Sequence, residues 1–201
     1  MGPFFIIFVV FVIILTYVLR RNSKLEREVT DRFWEKEARS NATRRKDISS
    51  LPYLTLPLDA FPIGKYTDEV LAELEIQLRQ LAGEAILNLN GITNTELKLT
   101  YGAANLETLS QCDERFTKLI QLLHQYGKRL LELSHPSEAK LVLRFAAENG
   151  SDISDTYTLL ADAYLTDGET ELLRTLIDTA SRLTSPRRDA IVEKLNARLN
   201  A

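Results

Sequence analysis

The sequence predicts an all-α protein with an N-terminal transmembrane helix followed by a domain of α-helical hairpins. Three observations indicate this fold class: an uncharged apolar run ends at two arginines, apolar residues then recur at a helical period, and the C-terminal half contains an internal repeat. We expect a transmembrane helix, a basic juxtamembrane helix, a proline-bearing extended strap and a helical repeat-like domain, over residues 3–19, 20–46, 47–66 and 67–201 respectively.

The apolar run from Pro3 to Leu19 contains no charged side chain, and Arg20 and Arg21 follow it directly. As a helix, its seventeen residues would span roughly 26 Å at about 1.5 Å per residue. This length is near the lower limit for crossing a bilayer. The alternative is a cleaved signal peptide. It is disfavoured because no basic residue precedes the run and no small-residue cleavage site follows it.

Basic residues near this run lie on its C-terminal side. The positive-inside rule therefore places the N-terminus outside and the C-terminal domain in the cytoplasm. We expect a single-pass membrane protein with the lipid bilayer as one partner. The residues expected at the membrane flank are Tyr17, Arg20, Arg21 and Lys24.

The overall net charge of −3 conceals an asymmetry between the stem and the domain. Residues 20–46 contain ten Lys or Arg and five Asp or Glu, whereas residues 47–201 contain fifteen and twenty-three. An acidic domain argues against nucleic-acid binding, which favours a basic face.

Cys112 is the lone cysteine and there are two histidines, so neither an intramolecular disulfide nor a His/Cys zinc site is expected. No cofactor is expected.

Each of the two segments before the domain is open to two structural interpretations. In the juxtamembrane helix, Leu25, Val29 and Phe33 form a narrow stripe beside Trp34, which would lie on lipid headgroups or on the domain. In the next segment, prolines at 52, 57 and 62 enforce extended backbone among large apolar residues. That segment is either a strap along the helical domain or an exposed docking peptide.

The helical pattern of the domain begins at Thr67, the expected N-terminal cap. The apolar stripe from Val70 to Ala85 predicts a helix over 67–89. Residues 95–101 are expected to form a short helix or turn that ends at Gly102. The segment 103–118 would then cap the repeat that follows.

When the C-terminal half is compared with itself after a shift of 34 residues, apolar or small residues fall at matching positions. The matched pairs are Leu123 with Tyr157, Tyr126 with Leu160, Gly127 with Ala161, Leu130 with Tyr164, Leu143 with Ile177 and Ala146 with Ala180. Over about 120–186, the period of this shift and the pattern resemble the tetratricopeptide repeat, a pair of helices that stacks on its neighbours. Small residues such as Gly127 are expected where the two helices of a pair cross closely.

The resemblance has three departures from the family pattern. Leu123 and Tyr157 stand where the family usually has Trp, Leu173 stands where a small residue is usual, and two repeats match rather than three or more. A final helix over about 186–199 would cap the array. Its Ile191, Leu195 and Leu199 would face inward, and its Arg187, Arg188, Lys194 and Arg198 would face water.

The sequence shows no catalytic constellation, and we expect the protein not to be an enzyme. It has no Gly-rich phosphate loop, no nucleophile elbow and no metal-binding His pair. The resemblance instead implies that a peptide or protein segment binds in a groove lined by the first helix of each pair. The exposed groove residues would be Gln121, His124, Lys128, Asp155, Thr158 and Asp162. They lack the basic cluster with which family members grip a terminal carboxylate.

These observations together predict a membrane-anchored adaptor that binds an unidentified protein partner through the helical-repeat groove. Two alternatives stay open. The domain could face outward as an envelope or secretion-assembly factor, or the chain could be a membrane-bound enzyme whose site is not recognised from its sequence.

Overall fold

The computed structural model describes residues 3–200, except for the side chains of residues 3–7, 9, 13, 14 and 18–25. Over this range the protein is all-α: the chain forms helices joined by turns and loops, with no strand. One short 3₁₀ turn precedes the longest helix of the C-terminal half. The helices are α1 Pro3–Asn41, α2 Glu69–Ala82, α3 Asn94–Tyr101, α4 Leu106–Glu132, α5 Pro136–Glu148, α6 Ser154–Thr166, α7 Thr170–Ser181 and α8 Arg188–Leu199.

The predicted transmembrane helix is not supported by the structure. Among the residues described, no helix combines the length and the apolar character that crossing a membrane requires. The apolar run 3–19 is only part of α1, which continues without a break through the charged stretch 20–41. The prediction of a transmembrane helix over 3–19 and of a single-pass, N-terminus-outside membrane protein was therefore wrong.

The predicted flank residues fall mostly outside the structural description. The side chains of Arg20, Arg21 and Lys24 are among those not described. Tyr17 is described and is exposed on α1.

The chain divides into two compact units that do not follow the predicted boundaries. Unit 1 contains Met1–Asp47 and Thr93–Leu106, and unit 2 contains Ile48–Ile92 and Glu107–Ala201. Unit 1 is therefore built from two separated stretches of sequence, and α3 is the second of them.

Unit 1 joins the C-terminal end of α1 to α3 through a carboxylate. Glu37 accepts hydrogen bonds from Thr95 Oγ1 at 2.5 Å and from Lys98 Nζ at 2.5 Å. Lys98 also donates to Asn41 at 2.9 Å. These bonds lower the pKa of Glu37, with the Lys98 hydrogen bond as the main cause and the Thr95 bond next. The polar end of α1 is thus anchored by charge-assisted hydrogen bonds.

The turn after α3 brings two backbone segments of unit 1 together. The side-chain amide of the buried Asn105 donates to Lys46 O at 2.8 Å and to Tyr101 O at 2.7 Å, and its oxygen accepts from Arg45 Nε at 3.0 Å. Gly102, which directly follows Tyr101, has a φ of +91°, a conformation that glycine adopts without a steric cost. The prediction that this short helix ends at Gly102 is confirmed.

Unit 2 contains two hydrophobic clusters that meet at α5. The first cluster is formed by the segment before α2, by α2, α4 and α5, and it includes the fully buried Leu71, Leu78, Leu123 and Tyr126. The second is formed by α5 to α8 and includes Leu143, Tyr157, Leu160 and Leu173. Ile191 and Leu195 of α8 are also buried there, as predicted for the final helix.

α4 is longer than the sequence pattern suggests. Its 27 residues join the predicted capping segment 103–118 to the predicted first helix of the repeat without interruption. Its counterpart one repeat later, α6, has 13 residues. Most of the predicted capping segment is therefore continuous with the first helix of the repeat, and its apolar face with Leu109, Cys112 and Phe116 continues directly into that helix.

α2 is shorter than predicted, and its N-terminal cap lies one residue later. Asp68, not Thr67, is the N-terminal cap, and its side chain accepts the backbone N–H of Leu71. The helix ends at Ala82, so Ala85 and the residues up to 89 follow in a loop. That loop is still buried, because Ile86, Leu87 and Leu89 pack inward.

The segment 48–66 lies along the helices of unit 2. Leu54 N donates to Ile86 O at 2.9 Å, and Leu56 and Phe61 are buried in the first cluster. The ring of Phe61 meets that of Phe145 on α5 edge to face, with 5.4 Å between centroids. We call this segment the strap.

A buried polar cluster fixes the end of the strap against α2 and α4. The Tyr126 hydroxyl lies 2.9 Å from Glu75 Oε1 and 3.2 Å from Pro62 O. The other oxygen of Glu75 accepts the backbone N–H of Gly64 at 2.9 Å. Burial and the bond to Glu75 raise the pKa of Tyr126, so this hydroxyl keeps its proton.

Two carboxylates complete the attachment around the strap. Glu138 on α5 forms an ion pair with Lys65 and accepts the Tyr66 hydroxyl at 2.7 Å, and these bonds lower its pKa to about 2. Asp68 accepts two bonds from Arg129 of α4, at 3.2 and 2.7 Å, and with the Leu71 N–H they lower its pKa to about 2.

These two carboxylates predict a loss of stability in acid. In the unfolded chain they titrate near their ordinary pKa values of 3.8 and 4.5, so the unfolded state binds more protons between about pH 4.5 and pH 2. Their contribution is present at neutral pH and is lost as the pH falls through that window. We expect the double variant Asp68→Asn/Glu138→Gln to show a shallower decrease in unfolding free energy, measured by urea denaturation at each pH.

The matched control changes two exposed carboxylates by the same charge, as Asp178→Asn/Glu193→Gln. This control should keep the acid slope of the parent chain. An equal slope in the Asp68/Glu138 variant and in the parent would contradict the assignment of the slope to these two carboxylates.

Candidate functional site

The predicted groove residues of α4 lie in one row on its surface. Gln121, His124 and Lys128 are spaced by three and four residues, which places them on the same side of a helix. Gln121 and Lys128 are exposed, and His124 is half-buried. This row faces the start of α6, which supplies the second half of the predicted site.

His124 connects the two helices. Its Nδ1 lies 3.1 Å from the hydroxyl of the fully buried Thr156, and its Nε2 lies 3.6 Å from Asp155 Oδ2. Burial lowers the pKa of His124, and the nearby Asp155 carboxylate opposes this effect only in part. The structure therefore brings His124 and Asp155 together, with a His124 imidazole whose lowered pKa favours the neutral form.

The other two predicted positions on α6 are already engaged within the protein. Thr158 was expected to be exposed, but only 9% of its surface is accessible and its hydroxyl bonds Asp155 O at 3.2 Å. That expectation was wrong because α8 also packs against α6 and leaves less of that helix exposed than the repeat pattern implied. Asp162 is exposed, yet it accepts a hydrogen bond from Arg198 Nε of α8 at 2.6 Å.

A cleft opens at the end of the row that contains Gln121. Its volume is about 280 Å³. Its apolar lining comes from the side chains of Phe116, Ile120 and Ile153, and its polar lining comes from Asn90, Thr117, Gln121, Asp152 and Arg187. The lining is therefore mixed, with more polar than apolar residues, and it could hold a ligand that carries both kinds of group.

The charged groups at the cleft differ in how they are held. Asp152 accepts the Ser185 hydroxyl at 3.1 Å, which keeps its carboxylate beside the turn before α8. Arg187 is exposed, and its guanidinium forms no ion pair within residues 3–200 as described. The cleft therefore offers an available cation next to an apolar surface.

Sequence reasoning identified Gln121 but missed Asn90 and Asp152, and it assigned Arg187 only to a solvated face. These residues lie far apart along the chain. Their meeting depends on how the loops after α2 and before α6 and α8 converge on α4. No spacing within the sequence signals that convergence.

The buried position of His124 predicts a pH dependence of stability. Because its pKa is lowered in the folded chain, the unfolded chain binds the extra proton first as the pH falls. We expect the free energy of unfolding to decrease as the pH is lowered from about 7.5 to 5.5. The variant His124→Gln should show a smaller decrease in urea denaturation over this range. An undiminished decrease in the variant would contradict the role of His124.

The comparisons with known proteins complete the description of this site. Neither protein-family models, nor curated proteins, nor solved structures gave a match to the chain.

Proposed function

We propose that the protein is an adaptor whose unit 2 binds a peptide or protein segment. The observation that supports this most directly is the cleft beside Gln121. It combines an apolar surface, formed by Phe116, Ile120 and Ile153, with polar groups that can bond a peptide backbone. A cleft of about 280 Å³ accommodates one large side chain rather than a complete small-molecule cofactor.

The arrangement of the hairpins supports a role in binding. The helix boundaries recur at the 34-residue interval of the sequence repeat. α4 ends at Glu132 and α6 at Thr166, and α5 begins at Pro136 and α7 at Thr170. The turns match as well, since Ser134 and Gly168 have φ values of 62° and 72°. The likeness to tetratricopeptide repeats stays a prediction, but paired helices with this period commonly present one face to partners.

The charges around the cleft favour a particular peptide chemistry. An apolar side chain would fill the cleft, and an acidic residue next to it would pair with Arg187. Lys128, exposed farther along the same row of α4, would favour further negative charge. His124 and Asp155, already in contact, would contribute less because their polar atoms have partners. The proposed ligand is therefore an apolar residue in an acidic peptide context.

A peptide-display library selected against the purified full chain tests the proposal. We expect enrichment of peptides with one large apolar residue next to Asp or Glu. A peptide from that set should bind the variant Gln121→Trp at least about 10-fold more weakly, because a bulky uncharged side chain would obstruct the cleft without attracting the acidic peptide. The control Gln111→Trp adds the same bulk to the same helix at an exposed position that does not line the cleft, and it should bind normally.

Arg187→Glu separates charge recognition from cleft filling. It should weaken binding of the acidic peptide and have a smaller effect on a version of that peptide with its acidic residue changed to Gln. The proposal fails if the selection enriches no peptide, or if the enriched peptides bind Gln121→Trp and Gln111→Trp equally well.

A further inference from the structure

α1 exposes large apolar side chains far from its contact with α3. Phe8, Phe11, Leu15 and Val29 have 62%, 58%, 44% and 58% of their surfaces accessible. The hydrogen bonds that hold α1 within unit 1 begin only at Glu37. The stretch of α1 before that point therefore presents an apolar surface that no described part of unit 1 covers.

The spacing of these residues follows the seven-residue repeat of a coiled coil. With Phe8 at the first position of the repeat, the two core positions along α1 carry apolar residues, with one exception, from residue 4 to residue 29. We call these core positions the seam. In order they are Phe4, Phe8, Phe11, Leu15, Val18, Asn22, Leu25 and Val29.

The positions on the opposite side of the repeat are apolar at residues 6, 9, 10 and 13 and become polar only along the second half of the seam. From residue 16 onward they carry Thr, Tyr, Ser, Lys, Arg and Asp. The seam itself stops at Arg32, which pairs with Glu28 of its own helix at 3.9 Å. An apolar seam beside a polar side is the pattern of a helix that packs against another helix.

We propose that the seam pairs with the same seam of a second copy, in a parallel and in-register two-stranded coiled coil. This interaction lies in unit 1 and is independent of peptide binding by unit 2. It accounts for an apolar surface that would otherwise face water.

Two features of the sequence favour a parallel pair of identical chains. In the parallel register the apolar stretch 3–19 meets its own copy, whereas an antiparallel pair would place it against the charged stretch 20–41. The parallel register also places Arg21 of one helix opposite Glu26 of the other, a pair of opposite charges at the positions that flank a coiled-coil core.

Asn22 is the polar exception within the seam. A single Asn at the first position of the repeat, buried against its copy, fixes the register and the number of strands in coiled coils at some cost in stability. It is the sixth of the eight seam positions and has apolar seam positions on both sides, which fits a two-stranded pair.

The apolar area is consistent with an interface. Phe8 and Phe11 each expose more than half of their surface, so these rings in two copies hold on the order of 400 Å². That is about a third of the ~1,200 Å² at which stable interfaces begin, from two of the eight seam positions.

Disulfide trapping of the purified full chain tests the register. Val29→Cys places a thiol in the seam, and Arg27→Cys places one two residues away on the opposite side of the helix. Under mild oxidation Val29→Cys should form covalent dimer at least about 10-fold faster than Arg27→Cys. The parent chain supplies the baseline, because its native Cys112 is buried. Equal rates for the two variants would overturn the proposal.

Sedimentation equilibrium of the full chain without detergent tests the number of strands. We expect a dimer that Leu15→Glu weakens by at least about 100-fold, since an unpaired charge in an apolar interface is strongly destabilising. Hydrogen exchange in α2 and α4 to α8 should be unchanged in this variant, which separates lost pairing from unfolding. A monomer or a trimer would overturn the proposal. A monomer that cosediments with phosphatidylcholine vesicles would overturn it in favour of lipid.

Asn22→Val provides a separate test of the polar position. It should raise the temperature at which the dimer dissociates and should yield oligomers larger than two. A dimer that becomes less stable, with no larger species, would place Asn22 outside the seam and contradict the proposed register.

Discussion

Gly102→Ala is expected to cost unit 1 about 3 kcal/mol of local stability. An alanine at φ +91° has a strained backbone, which costs about 1–3 kcal/mol. The added Cβ would also lie 2.7 Å from both the carbonyl carbon of Arg44 and the Cα of Arg45. These are backbone atoms that cannot move aside as a side chain can, and such overpacking typically costs a further amount of about 1–3 kcal/mol.

Hydrogen exchange provides the measurement, because it reports on unit 1 separately from unit 2. The amide of Lys46, which bonds Tyr101 O at 3.0 Å, should lose protection in Gly102→Ala. Gly168→Ala is the matched control. Gly168 also has a positive φ, +72°, but a Cβ there meets nothing within 4 Å, so it should cost only about 1 kcal/mol. Equal costs for the two variants would contradict the crowding at Gly102.

Gly127→Ala is expected to destabilise unit 2 by about 2 kcal/mol, despite the better helix propensity of alanine. The new Cβ would lie 2.5 Å from Leu143 Cγ and 2.6 Å from its Cδ2. Leu143 is fully buried where the two hydrophobic clusters meet, so moving it disturbs both. The expected value combines an overpacking cost of up to about 3 kcal/mol with a propensity gain of about 1 kcal/mol.

A double-mutant cycle with Leu143→Ala isolates this contact. Leu143→Ala alone should cost about 2–5 kcal/mol. The double variant should be destabilised by less than the sum of the two single variants, because the shortened side chain makes room for the new methyl group. Gly83→Ala serves as the control, since a Cβ there has only Gln80 O within 4 Å, at 3.9 Å. Additive costs within about 0.5 kcal/mol would contradict the proposed clash.

Local patterns identified the features that depend on near neighbours in sequence. The end of α3 at Gly102, the small residue at Gly127 and the inward face of α8 follow from helix periodicity and from the conformational freedom of glycine. The position of Gly127 against Leu143 is a contact between consecutive helices, which short connections favour.

Features that depend on distant contacts were not accessible from the same patterns. Asp68 replaces Thr67 as the cap of α2 because Arg129, 61 residues later, holds its carboxylate. Thr158 is covered by its tertiary surroundings, and Asp162 is paired by Arg198, 36 residues away. A periodic pattern states which face of a helix is polar. It does not state which polar residue already has a partner.

The apolar N-terminal run shows the same limit for composition. Its seventeen residues indicated a membrane address from their apolar character alone. In the structure they form part of one long helix with a charged continuation, and among the described residues no helix is long and apolar enough to cross a membrane. Composition located an unusual surface but did not determine what that surface contacts.

The division of the chain into two compact units affects the result of proteolysis or truncation. Because α3 is inserted between two stretches of unit 2, a single proteolytic nick after Asp47 would not release unit 1. The detached α1 would stay bound to α3 through Glu37, Lys98 and Thr95, while α3 remained covalently part of the other fragment. A fragment that begins at Ile48 would instead carry an orphaned α3 with the apolar Leu97 uncovered. Isolating unit 2 cleanly therefore requires two edits, removal of 1–47 and replacement of 93–106 by a short flexible linker.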